Sequence, residues 1–158
     1  MWTSEHLPEH DLTEATPLLA AVAPAELAGF PQAVREWIQT SGNGAMLVRA
    51  EGGCIVALAL FRPLAKPRAF GINWLRHIEI GRPEAMVAAL LDAFLDTARK
   101  EGFNSVWIAG EASNSRTFSQ HVDGHPGTAC GFRPFAGGWI SQLPEFASVL
   151  GMSPVPGP

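Results

Sequence analysis

The chain contains no tyrosine, two lysines (Lys66 and Lys100) and two cysteines among its 158 residues. Each shortage excludes something. Without tyrosine, no phenol can act as a proton donor. Few lysines and a net charge of −4 leave no basic surface of the kind nucleic acids require, so no nucleic-acid partner is expected. Cys54 and Cys130 are too few and too distant in sequence for a disulfide framework, and they fit reduced thiols in a cytoplasm. No stretch of about 20 apolar residues occurs, so no membrane span is expected. The opening "MWTSEHLPEHDL" carries acids and histidines ahead of any apolar run, unlike a secretory signal. No repeat or linker divides the chain. It reads as a single domain over residues 1–150 with a loose tail, "GMSPVPGP", at 151–158.

What is present is ample core material, since 47% of the residues are apolar and only 16% are charged. "DLTEATPLLAAVAPAELAGFPQAVREWIQTSG" reads as one or two helices, with Asp11 or Thr13 as the first cap and Pro24 and Pro31 interrupting. "AMLVRAEGGCIVALALFRPL" holds two β-rich runs around "EGG", a hairpin signal. "KPRAFG" reads as a loop and "INWLRHIEI" as a third strand.

From Pro83 to Glu101 the period changes. Met86, Leu90 and Phe94 recur at i, i+4, i+8 beside Val87, Leu91 and Leu95, while Asp92, Asp96, Arg99 and Lys100 mark a wet face. Gly102 stops this long helix. "NSVWIAG" is a further strand, "SNSRTFSQHV" a short helix with Ser113 as its cap, and "GFRPFAGGWISQL" two short strands about a glycine turn. The order implies an α/β (α+β) fold with a mixed sheet.

Three stretches carry a likeness to a known family: "HIEIGRPEAMVAALLDAF", "ARKEGFNSVWIAGEASNSRTFSQHV" and "CGFRPF". In this order, over residues 77–135, they resemble the GNAT superfamily of acyl-CoA-dependent N-acyltransferases. The resemblance implies a mostly antiparallel central sheet flanked by helices, acetyl-CoA or another acyl-CoA as cofactor, and an amine on a small molecule or peptide as acceptor. It implies that the turn after "HIEI" wraps the coenzyme pyrophosphate, with Arg82 and the backbone of Ala85, Met86, Val87 and Ala88 holding it. The backbone of Ile78 and Ile80 would meet the thioester, and Asn114 and Arg116 would complete the cofactor site. Two departures stand out. Val87 occupies a position the family keeps small, and Glu84 puts a negative charge in the first helical turn, where a phosphate would use the dipole. Pro-Glu is equally an ordinary helix start at which nothing docks.

Acyl transfer needs a base for the amine, a donor for the thioester oxygen and a proton for the leaving thiolate. The resemblance assigns Glu79 as the base; alternation alone would turn it to solvent or to a nearby arginine. The family's acid is a tyrosine seven residues past the asparagine, and here that position is His121. Cys130 stands as another donor or as a buried thiol. His121 and His125 flank Asp123, but no matching cluster follows, so no metal is expected, and His6 and His10 fare no better. Among the tryptophans, Trp74 and Trp107 read as core and Trp139 as a pocket wall.

Three functions stay open on the residues: an N-acyltransferase, a GNAT-shaped binding or assembly module without turnover, and a thioester hydrolase or decarboxylase on the same fold. The stretch "FASVLGMSPVPGP" reads either as an exchange arm of a homodimer or as a frayed end.

Overall fold

The structure is a computed structural model that describes residues 2–66, 68–123 and 131–142. Seven strands form one sheet in the order β1-β2-β3-β4-β5-β7-β6. The strands are β1 (Thr3–His6), β2 (Gly44–Arg49), β3 (Ile55–Ala65), β4 (Arg68–His77), β5 (Ser105–Ala109), β6 (Arg133–Phe135) and β7 (Gly138–Gln142). Every neighbouring pair is antiparallel except β4 and β5. The helices are α1 (Thr16–Val22), α2 (Phe30–Ile38), α3 (Pro83–Lys100) and α4 (Arg116–Val122).

Alternation in the central strands sorts side chains to two cores, because successive strand residues point to opposite faces. Met46 and Val48 of β2 join Phe61, Phe70 and Ile72 beneath α3 and α4. Ala45 and Leu47 of the same strand join Leu58, Leu60 and the helical arm of α1 and α2. The apolar stripe expected on the long helix is buried as expected: Val87, Leu90, Leu91 and Phe94 are fully inside. Gly102 follows α3 at φ 82°, a conformation costly for a residue with a Cβ, and it ends the helix.

The N-terminal region departs from the sequence reading. Residues 3–6 form an edge strand, tied to α3 by Ser4 to Thr97 and to the residue that caps its end by His6 to Glu101. A 3₁₀ segment kinked at Asp11 spans Glu9–Ala15, so neither Asp11 nor Thr13 caps α1; its cap is Ala15, with no side-chain bond. Pro24 opens a second short 3₁₀ turn and Pro31 sits in the first turn of α2. Proline is tolerated at such starts because the first N–H groups of a helix have no internal partner. Arg68–Gly71, read as loop, is paired strand. Ser115, not Ser113, caps α4: its hydroxyl accepts from the Phe118 N–H at 3.2 Å. The stretches holding His125, Cys130 and the tail at 151–158 lie outside the described residues. Among the described residues, no helix is long and apolar enough to cross a membrane.

Phe94→Ala, at a fully buried position on α3, is expected to destabilise the fold by about 3–5 kcal/mol, read as a lower urea midpoint at unchanged slope.

Candidate functional site

The one parallel pair organises the site. β4 and β5 are in register only from Phe70–Ile72 to Val106–Ile108. At that point β4 carries a bulge: Leu60 pairs with Trp74 but Phe61 pairs with Ile72, which leaves Asn73 without a partner on β3. A bulge bends a strand and re-aims its side chains. Beyond it β4 meets the connection that follows β5 once more, where the Leu75 N–H donates to the Ala112 carbonyl at 2.8 Å. Parallel strands leave a crevice at their carboxyl ends where the following connections turn away. Here α3 and α4 both begin at that end.

Arg76 locks the near side of this crevice. The residue is 9% exposed. Its guanidinium binds Glu26 through two bonds of 2.8 and 2.7 Å, and donates to the carbonyls of Leu75 and Ala112 at 2.8 and 3.0 Å. It also lies 4.6 Å over the Trp74 ring, which stacks on Phe30 of α2. The paired fork geometry suits arginine and no other residue.

On the far side, the loop of residues 78–82 turns through Gly81 (φ 66°) into α3. Glu79 is exposed, and its carboxylate accepts the Ser115 hydroxyl at 2.6 Å. Glu84 stands 4.0 Å from His121 Nε2, while His121 Nδ1 lies 2.9 Å from the Thr117 carbonyl. These two contacts span the crevice from loop and α3 to α4.

The residues expected to hold a cofactor divide into two sets. Arg82, Ala85, Asn114 and Arg116 are exposed around the crevice, with Ile80 exposed and Ile78 and Ala88 half-buried. Met86 and Val87 instead direct their side chains into the core, 3% and 0% exposed. Val87 therefore does not fill the space above the turn. The Met86 N–H donates to the Arg82 carbonyl at 2.9 Å, so the first-turn donors without a helical partner are the N–H groups of Glu84 and Ala85, Pro83 having none. No side chain caps them.

The sequence reading missed Asn73, Arg76 and His77. Asn73 Oδ1 and His77 Nε2 are buried polar atoms with no hydrogen-bond partner among the described residues. Nothing in the local pattern marks Asn73 or Arg76, which read as ordinary alternating strand residues. A histidine among apolar strand residues was the one available signal. Trp139, expected as a pocket wall, lines a shallow hollow with Gly110, Phe135 and Gly138 beside the end of β5. Among the described residues, no cluster of three or more His, Cys, Asp or Glu has metal-site geometry.

Glu26→Gln keeps the shape of the Arg76 contact and removes its charge. It is expected to cost about 1.5–3 kcal/mol, the range for a hydrogen bond to a charged group, and to speed amide exchange in α1 and α2 before β4.

No family model and no curated protein sequence matches this chain. Solved structures do. A ribosomal-protein-alanine N-acetyltransferase from Brucella melitensis biovar Abortus 2308 is similar at 18% identity over 86% of this chain and 97% of that one, with a TM-score of 0.55. An aminoglycoside 6'-acetyltransferase type Ii is similar at 11% identity over 89% and 96%, with a TM-score of 0.54. Mutant forms of the spermidine/spermine N-acetyltransferase from Vibrio cholerae are similar at 11% identity over 90% and 91%, with a TM-score of 0.52. With its mixed, mostly antiparallel seven-stranded sheet and helices on both faces, the chain carries the fold of the GNAT N-acetyltransferases.

Proposed function

We propose that the chain is an acyl-CoA-dependent N-acyltransferase that moves an acetyl or related acyl group to an amine on a small molecule or peptide. The observation that carries this reading is the crevice itself. The N-terminus of an 18-residue helix opens onto it, flanked by Arg82 and Arg116. A helix start with unpartnered N–H groups favours an anion such as a pyrophosphate. In this reading the N–H groups of Glu84 and Ala85 and the guanidinium of Arg82 hold the phosphates. Exposed Ala85 and half-buried Ala88 give the coenzyme close approach, and the backbone of Ile78 and Ile80 lies along its thioester arm. Arg116 and Asn114 close the site from α4. The family likeness offers Glu79 as one candidate base once the substrate displaces the Ser115 hydroxyl.

The proteins of like fold are named for aminoglycoside, spermidine or spermine, and ribosomal-protein acceptors. A net charge of −4 favours a cationic amine by long-range attraction. In this reading Cys54 and Cys130 serve as reduced thiols of a cytoplasmic enzyme.

A second reading has its own support. The Glu79–Ser115 and Glu84–His121 contacts span the crevice, and both put carboxylates where phosphates would lie. A chain with those pairs locked is a GNAT-shaped binding module without turnover.

Calorimetric titration with acetyl-CoA separates the two. The enzyme reading expects micromolar binding that weakens about tenfold in Arg82→Ala, a loss of about 1.4 kcal/mol of charge-assisted contact. It also expects Glu84→Gln to tighten binding by about 2–5-fold, because that change lifts a competing charge worth about 0.3–1 kcal/mol from the first turn. No binding by the native chain at millimolar ligand would sink the acyltransferase and leave the module.

A further inference from the structure

We propose that His77, not His121, is the residue that carries the proton between the attacking amine and the leaving sulfur. This deepens the acyltransferase reading and rests on it.

His77 is the last residue of β4, at the mouth of the crevice, and is 5% exposed. Its face of the strand is that of Leu75, packed toward α3 and α4, and its ring centroid lies 5.9 Å from that of Phe118 on α4. Nδ1 lies 2.8 Å from the Ile78 carbonyl. A carbonyl oxygen only accepts, so Nδ1 carries the hydrogen and, in the neutral ring, Nε2 carries a lone pair. Nε2 is at the edge of the ring farthest from the backbone. It is buried, and no described residue donates to it. A purely structural histidine in a dry interior has both nitrogens satisfied, because an unmade bond there is costly. This one holds a single tautomer fixed and leaves its basic nitrogen free at the carboxyl end of the parallel pair.

His121 has the opposite character. Its side chain is 28% exposed, Nδ1 is engaged by the Thr117 carbonyl, and Nε2 faces the Glu84 carboxylate. The ionisable groups nearest in the chain to the crevice end of these elements are Glu79 and Arg82 of the loop, Glu84 in the first turn of α3, and Arg116 and His121 of α4; Asp92, Asp96, Arg99 and Lys100 lie further along α3, and Glu111 precedes α4. Arg76 is turned to the other face, onto Glu26, and the partner residue on β3 is Ala57.

The step balances with no further reactant. The amine nitrogen bonds to the thioester carbonyl carbon, and its proton passes to His77 Nε2. The C–S bond then breaks, sulfur keeps the electron pair and takes that proton, and the imidazole returns to its neutral form. The phenol that this chain lacks is not required, because one imidazole serves as base and then as acid.

His77→Asn tests the idea, since its amide N–H can still reach the Ile78 carbonyl while Nε2 is lost. Expected are a cooperative fold, acetyl-CoA affinity within about threefold of native, acetyl transfer to spermidine lower by about 100-fold or more, and loss of the acidic limb of the pH–rate profile. Turnover within threefold of native with an unchanged profile overturns the proposal. Nitrogen NMR of ¹⁵N-histidine in the native chain decides if the variant does not fold or no transfer is measurable. On adding coenzyme A, the Nε2 resonance of His77 is expected to move toward its hydrogen-bonded position, and a resonance unchanged at saturation overturns the assignment. Failure of native protein to bind acetyl-CoA removes the acyltransferase reading and this one together, whereas binding with a silent His77 removes this one alone.

Discussion

One buried guanidinium holds the architecture around the site. Arg76 joins three segments distant in sequence: Glu26 in the helical arm, β4 itself, and Ala112 in the connection from β5 to α4. Taking a charge out of water costs several kcal/mol unless partners replace the lost hydration. Arg76 has those partners only when all three segments are in place, so its desolvation cost makes their positions interdependent. The Ala112 carbonyl accepts from both the Leu75 N–H and Arg76, and so it sets how far β4 and β5 part. The bulge at Asn73 starts that parting, and the Ala112 carbonyl limits it.

The charge balance in the crevice follows from how α3 begins. Pro83 fixes a helical φ and removes a donor, and the Met86 N–H is used within the helix. An anion bound there would therefore meet two N–H groups instead of the three or four that a bare helix start presents. Glu84 opposes such an anion, while Arg82, the extended cap residue, sits beside the same turn. The four charged side chains Glu79, Glu84, Arg82 and Arg116 thus cancel in number, and phosphate affinity depends on their placement more than on any net field. At physiological ionic strength, exposed charges about 8 Å apart are substantially screened, which leaves the nearest pairs to decide.

Much of the fold was legible because it rests on periodicity. The stripe through Met86, Leu90 and Phe94 gave α3 almost to the residue, and "EGG" gave the β2–β3 turn. What was not legible depended on partners distant in sequence. Thr3–His6 has no alternating apolar pattern, and becomes a strand only because β2 offers a free edge, α3 offers Thr97 and the end of that helix offers Glu101. Arg68–Gly71 looked like a loop because proline and glycine bracket it, yet pairing with Gly71↔Arg62 and Phe70↔Pro63 overrides that local signal. At the site, the residues named from the family likeness lie around the starts of α3 and α4, but the direction of their side chains was not legible. Val87 is a core residue because helical phase puts it on the buried stripe. Arg76 and His77, adjacent and on opposite faces, gain their roles from Glu26 and Phe118, which no spacing rule connects to them.

The crevice follows from topology before it follows from any side chain. A parallel pair must be joined by a crossover that returns over one face of the sheet, and α3 is that crossover. Because β4 and β5 run the same way, the helices that follow them start at the same end. First-turn N–H groups of α3 and backbone groups of β4 past Leu75 therefore gather in one place whatever residues are there. Such an arrangement is compatible with the low identity, 11–18%, at which the solved structures of like fold match this chain. The same reasoning limits what the fold can say about chemistry, since a backbone cradle is indifferent to what lies above it. Discrimination then falls to the few side chains the cradle does not dictate. In this chain those are carboxylates tied to Ser115 and His121, arginines at the rim, and an imidazole whose free nitrogen is buried at the strand end. Of these, only the imidazole sits at an unrelieved cost. An unpaired buried acceptor costs about 1–3 kcal/mol, a large share of the roughly 5–15 kcal/mol by which such domains are stable. On β4 a cost of that size falls on His77 at the strand end and on Asn73 at the bulge, two side chains each with a buried polar atom to which no described residue supplies the missing partner.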